Sequence, residues 1–141
     1  MVRINLIHPR FLADQHLIAE YDEILMLLGY VKKYPYIKDI PIKYCLGKGH
    51  IKFFKNKLAY LKNRHELIKE EMRKRGFKAE ISIKLNNFNK KLISNWKPTE
   101  NDKKIIRKRL KEKILKKRNY YRYYRKIRKT KFLLNLVNKS T

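Results

Sequence analysis

A chain of 141 residues with 38 lysines and arginines against 12 aspartates and glutamates carries a formal charge of +26, yet 43% of it is apolar. That length suits one domain with a real core, while so much like charge repels itself unless a polyanion lies against it. No apolar run approaches the roughly 20 residues of a membrane span, and Arg3, Asn5 and His8 interrupt the apolar start where a secretory segment would lie. Nucleic acid inside a cell is the expected partner, with no membrane association. The lone Cys45 has no cysteine partner for a disulfide or a zinc site and reads as a small buried apolar residue.

The chain begins with a small residue behind the initiator, so an aminopeptidase can remove Met1 and leave the backbone amine of Val2 as the true start. With a reference pKa of 7.7 to 8.0, roughly 10 to 20% of such an amine is unprotonated at pH 7, against about 0.04% for a lysine. It is a candidate nucleophile for imine chemistry. Next, Leu17, Tyr21, Ile24 and Leu28 recur at helical spacing and Asp14 stands where the macrodipole favours an acid, which predicts a helix over residues 13–31. On it, His16, Glu20 and Glu23 at i, i+4 and i+7 share a face largely opposite the apolar one. Exposed carboxylates paired with cations are the plain reading of this face. A metal site drawn from one helix, with no further ligand cluster, is weak. A third reading has the short N-terminal segment folding back over the helix. The Val2 amine would then lie near Glu23, whose carboxylate would stabilise a developing cation and move protons.

Gly29 and Lys33-Tyr34-Pro35-Tyr36 end that helix, and a Pro-containing loop runs to Cys45. A second helix is predicted from Gly49 or Ile51, with Phe53, Phe54, Leu58, Leu61 and Ile68 turned inward and Gly76 as its stop. Residues 77–98 are ambiguous: 79–85 alternates like a strand, but a strand alone has nothing to pair with, and a loop or short helix fits as well. Thr99 followed by Asp102 announces a third helix, very basic, with the apolar stripe Ile105, Ile106, Leu110, Ile114 and Leu115. Residues 126–141 keep some apolar pattern in Phe132-Leu133-Leu134 and Leu136-Val137, enough to dock, with a frayed extreme end.

Residues 103–131 contain one acid, Glu112, and enclose Tyr120-Tyr121-Arg122-Tyr123-Tyr124. Cations for phosphates and rings for an exposed base make a nucleic-acid pattern. Tyrosines half-buried in a core and a merely solvated face are the alternative, although solubility alone needs far less charge. The expected architecture is all-α: a compact single domain of three main helices with long loops and the N-terminal segment folded back against the first helix. Residues 1–125 would form the domain and 126–141 a basic extension.

The blocks Arg3-Ile4-Asn5-Leu6, Leu12-Ala13-Asp14-Gln15-His16-Leu17, Ala19-Glu20-Tyr21 and Glu23 resemble the opening of the phage pyrimidine dimer DNA glycosylase family, the ultraviolet-repair endonuclease V family. Leu46-Gly47-Lys48-Gly49-His50, Phe53-Phe54, Lys57-Leu58 and Lys74-Arg75-Gly76-Phe77 are similar to its LGxGH, FF, KL and KRGF signatures. Arg109-Leu110, Glu112-Lys113-Ile114 and the cluster from Tyr120 to Tyr124 resemble its RL, EKI and WYKYY segments.

The resemblance implies a monomeric, DNA-associated repair enzyme that needs no metal or cofactor and acts on double-stranded DNA containing photolesions. Such an enzyme cleaves the glycosidic bond at a cyclobutane pyrimidine dimer and then, as an AP lyase, breaks the strand through a Schiff base. By matching positions, Val2 supplies the amine and Glu23 the catalytic carboxylate. Arg3, Gln15, His16, Arg109 and Lys113 approach the DNA, and Tyr120, Tyr121, Arg122, Tyr123 and Tyr124 help recognise it. The chain departs from the family at Val2, where threonine is usual, and at Asp22 and Met26, where the phage enzyme has arginines. Its loop over 32–45 and the stretch after Phe77 are shorter, and 126–141 is extra. A non-catalytic basic DNA-binding protein and a ribosomal or other RNA-binding protein are the alternative classes.

Overall fold

The computed structural model describes residues 2–141, and their architecture is all-α, with one small hairpin. Five helices run in order: α1 (Asp14–Lys33), α2 (His50–Phe54), α3 (Leu58–Lys74), α4 (Glu100–Lys116) and α5 (Thr130–Asn138). Two-residue strands β1 (Arg122–Tyr123) and β2 (Lys126–Ile127) pair antiparallel between α4 and α5. The three longest helices are those the apolar spacing predicts. α1 turns Leu17, Tyr21, Ile24, Leu28 and Val31 into the core and packs on α3, which contributes Leu58, Leu61, Ile68 and Met72. α4 opens with a full capping box: the Thr99 hydroxyl accepts from the Asp102 amide at 3.1 Å and the Asp102 carboxylate accepts from the Thr99 amide at 2.9 Å.

The structure departs from the sequence expectation in several places. The single helix expected from residue 49 to Gly76 is two. At Lys57 the backbone leaves helical geometry (φ −123°, ψ 42°) because it forms a bridge with Ile93, and the Asn56 carbonyl accepts from Ser94. A long-range pairing thus overrides local helix propensity. The alternating stretch 79–85 forms neither strand nor helix. It docks through Ala79 and Ile83, and the Ile81 amide donates to the Tyr21 hydroxyl at 3.1 Å.

Within the third helix Leu115 is exposed, because the buried row is Ile106, Leu110 and Ile114. The helix ends at Lys116, and α5 lies on it through Leu133 and Val137. The end of the chain is tied rather than frayed: Arg107 donates from Nε to the Ser140 hydroxyl and from a terminal nitrogen to its carbonyl, both at 2.9 Å. Cys45 is half-buried rather than buried.

Residues 2–7 lie against α1, and the polar groups that hold them there define the site. Asn5 donates from its backbone amide (3.1 Å) and from its side chain (2.9 Å) to Oε1 of Glu20. Glu20 is therefore not on a solvent face. It is wholly buried and paired two-pronged with Arg64 of α3, at 2.7 and 3.0 Å, and the Arg64 guanidinium also donates to the Ile7 carbonyl. This clamp spans Leu6, a non-glycine residue held at φ +59°. Such a conformation costs on the order of 1 kcal/mol and persists only when its surroundings determine it.

Candidate active site

The Leu46–His50 segment forms the other half of the clamp. The Ile4 amide donates to Nε2 of His50 at 3.0 Å, which places the ring proton on Nδ1, facing the Cys45 carbonyl at 2.8 Å. The Tyr44 hydroxyl donates to the Ile4 carbonyl at 2.9 Å, so both backbone groups of Ile4 are held by side chains. Arg3 donates from Nε to the Leu46 carbonyl at 2.7 Å. Tyr44 and His50 are in turn wedged among Phe53, Phe54 and Trp96. Gly49 is needed here: a Cβ would stand 2.7 Å from the Pro41 ring. Burial pushes the His50 imidazole down to about 4, against the pull of its hydrogen bond to Cys45, and Arg3 and Arg109 lower it further. It is a neutral structural group at physiological pH.

Beside this clamp, Val2, Arg3, Asn5, His16, Ala19, Arg109, Lys113 and Tyr121 line a cleft of about 160 Å³. Three of these side chains are cationic at neutral pH and none is acidic, so the cleft suits an anion. α4 supplies Arg109 and Lys113 from successive turns of one face, because its buried row Ile106, Leu110 and Ile114 fixes its rotation. His16 packs against Tyr121, ring centroids 4.6 Å apart and planes tilted by 39°. Burial, then Arg109 and Lys113, push its pKa down to about 4, so it too is neutral. Glu23, one turn beyond Ala19, is half-buried. Its pKa is raised by burial while Arg3, close enough to act on it, pulls the other way. A carboxyl with a raised pKa beside cations can both exchange a proton and stabilise a positive centre.

The other predicted residues are spread around this cleft. Gln15 joins α1 to the hairpin, donating to the Tyr120 carbonyl (3.4 Å) and accepting from the Arg122 amide (3.0 Å). The aromatic cluster divides by role. Tyr121 is buried, and Tyr123 donates to the Arg10 carbonyl at 2.9 Å. Tyr124 donates to Glu71 at 3.2 Å, while Tyr120 is about half exposed with the Lys117 ammonium 4.7 Å from its ring centre. Asp22 and Met26 are both on the surface. With Glu20 committed to Arg64, the metal reading of His16, Glu20 and Glu23 loses its middle ligand. Among the described residues no group of three His, Cys, Asp or Glu side chains could hold a metal ion.

Arg64 and Arg75 are the buried structural residues that pattern reading passes over. Arg75 is buried and reaches Asp14 (2.9 Å), Glu71 (2.8 Å) and the carbonyls of Leu12 and Pro9 (2.7 and 3.2 Å). Its guanidinium also lies 4.6 Å from the Tyr123 ring centre. Asp14 completes the joint by accepting from the Tyr124 and Arg125 amides, at 3.1 and 2.6 Å. Only the block Lys74-Arg75-Gly76-Phe77 hinted at it. There Gly76, at φ +86°, also leaves room for Arg125.

The sequence model described as pyrimidine dimer DNA glycosylase matches residues 1–85, more than half of the chain. The chain belongs to that family. The match covers the whole N-terminal clamp, α1, Glu23 and α3, whereas the hairpin, α4 and α5 lie beyond it. DNA glycosylase activity and a DNA substrate follow from membership. Among the described residues no helix is long and apolar enough to cross a membrane.

Proposed function

We propose that this chain is a bifunctional glycosylase and AP lyase for cyclobutane pyrimidine dimers in duplex DNA, acting as a monomer through the amine of Val2. The expected removal of Met1 concerns a residue outside those the structure describes. What supports the reading is the cleft itself: Val2 lines it together with Arg3, Arg109 and Lys113, and Glu23 follows one turn along α1 from Ala19.

In this scheme the free amine attacks the anomeric carbon of the 5′ nucleotide of the lesion. The new C–N bond replaces the glycosidic bond, whose electron pair leaves with the base. The opened sugar becomes a protonated imine, which acidifies the neighbouring C2′ hydrogen. Loss of that proton expels the 3′ phosphate by β-elimination, and water releases the enzyme. Glu23, with its raised pKa, moves protons and stabilises the cation. Arg3, Arg109 and Lys113 take the phosphates flanking the sugar, with Gln15 and His16 beside them. Tyr120, Tyr121, Arg122, Tyr123 and Tyr124 border the duplex. Access to the anomeric carbon requires the target nucleotide or its opposite base to leave the stack.

Borohydride added to the Val2-initiated protein on dimer-containing duplex should trap a covalent adduct. Acetylating or extending the N-terminus should abolish it. Glu23→Gln should remove strand cleavage while leaving binding largely intact. Cleavage at full rate by N-terminally blocked protein would overturn the mechanism.

A further inference from the structure

A second cavity shares Arg3 with the cleft. It is lined by Arg3, Gly47, Lys48, His50 and Ile51 and measures about 240 Å³. The Arg3 guanidinium is held by backbone: Nε donates to the Leu46 carbonyl at 2.7 Å and one terminal nitrogen to the Val2 carbonyl at 2.9 Å. Among the described residues its other terminal nitrogen makes no hydrogen bond, which leaves part of the guanidinium fork for an anion.

Only part of the Leu46–His50 segment serves the clamp. Leu46 anchors Arg3, His50 anchors Ile4 and Gly49 fits under Pro41, whereas Gly47 and Lys48 are exposed and take no part in those contacts. A Cβ on Gly47 would meet no atom within 4 Å, and its backbone is not left-handed, so neither packing nor strain calls for glycine there. Its bare backbone instead keeps the cavity open. Among the described residues Lys48 makes no ion pair, and no acid lines the cavity. His50 is neutral, with its ring nitrogens committed to Ile4 and Cys45. The cavity therefore presents the cations Arg3 and Lys48 with nothing to offset them.

We propose that this cavity is a phosphate subsite, in which Arg3 and Lys48 take the monoester end that strand cleavage sets free. In the elimination, the electron pair left by the C2′ proton forms the C2′=C3′ double bond and the C3′–O bond breaks. The departing phosphate becomes the 5′ end of the downstream strand. As a diester it carried a single charge, and as a monoester it carries about −1.5 to −2 at pH 7. Arg3 meets that phosphate in the cleft before cleavage and lines the cavity that receives it afterwards, while Lys48 supplies the added positive charge that the monoester calls for. Holding the leaving group there opposes its return to the unsaturated sugar. The inference rests on the elimination chemistry proposed for the cleft.

The test binds the full chain beginning at Val2 to undamaged duplexes that are unbroken, nicked with a 5′-hydroxyl, or nicked with a 5′-phosphate. The phosphorylated nick should bind about tenfold tighter than the hydroxyl nick, the ratio that one charge-assisted hydrogen bond commands. Lys48→Gln should bring that ratio close to one, and Lys48→Arg should restore it. Gly47→Val, which adds bulk to the lining without changing its charge, should lower the ratio as Lys48→Gln does. A ratio near one in the wild type overturns the subsite, and so does a ratio that survives both substitutions. If Lys48→Gln weakens binding to the unbroken duplex as much as to the phosphorylated nick, the cavity holds an ordinary diester and the monoester assignment fails. A borohydride adduct on duplex with a preformed abasic site is scored in parallel. Its absence from the wild type counts against the cleft's chemistry, whereas its presence without a preference for the phosphorylated nick removes the subsite alone.

Discussion

The N-terminal clamp and the C-terminal basic face use the same side chains to opposite ends. Arg64 and Arg75 are buried, and each is bonded to a carboxylate and to backbone carbonyls of distant segments. Arg109 and Lys113 on α4 line an open cleft that contains no carboxylate. A buried guanidinium contributes little net stability over an apolar replacement, but it specifies position, since every other arrangement leaves a charge unpaired in low dielectric. An accessible one acts at a distance and on whatever anion arrives. The region that holds residues 2–14 against the helices is built from the first kind, and the cleft from the second.

The contrast is broken most severely at Arg64. Arg64→Met leaves Glu20 buried without its partner and should lower unfolding free energy by about 3–5 kcal/mol in urea titrations. Adding Glu20→Met should return part of that stability. The double variant should nevertheless lose imine trapping, because Asn5 and Ile7 are no longer held.

A second effect is read through pH. His50 is about 4 in the folded chain, against an ordinary 6.5. Above pH 6.5 it is neutral in both states and its contribution is fully present. As pH falls toward 4, the unfolded chain takes up the proton and ~3 kcal/mol of stability is lost. His50→Phe should therefore flatten the slope of unfolding free energy between pH 4.5 and 6 by about one proton. An unaltered slope would mean that His50 is already charged in the folded clamp.

Smaller effects belong to the basic face. Lys113→Gln should leave unfolding free energy unchanged and weaken binding to undamaged duplex by close to tenfold, ~1.3 kcal/mol. The slope of log K against log salt should diminish by about 0.9, the share of one phosphate contact. If the slope is retained, Lys113 does not meet a phosphate. Smallest is Thr99→Ala, which removes one half of the α4 capping box and should cost about 1 kcal/mol in thermal unfolding with no change in the clamp's chemistry.

Much of this design is legible in the chain before it folds. The helical period of Leu17, Tyr21, Ile24 and Leu28, the Thr99–Asp102 box and the stop at Gly76 act within a turn or two, so α1, α4 and the end of α3 follow from neighbours alone. The break at Lys57 does not, because its cause, Ile93, is far along the chain. Glu20 fails for a related reason. At i+4 from His16 it has the spacing of a surface acid, and only the arrival of Arg64 from α3 makes burial tolerable. The tyrosines of 120–124 illustrate the same limit, since their pattern is that of a base-stacking cluster whereas Tyr121 and Tyr123 are spent largely on His16 and on the Arg10 carbonyl.

What the amino-acid order determined by itself was the helical class, the excess of positive charge, and the family blocks around Glu23. Each depends on side-chain type and local period. Tertiary structure alone decided which charges were buried and which line the cleft. That choice is set by whether a partner from another segment arrives to offset desolvation, and here Arg64, Arg75, Tyr44 and His50 arrive from well beyond the residues they hold.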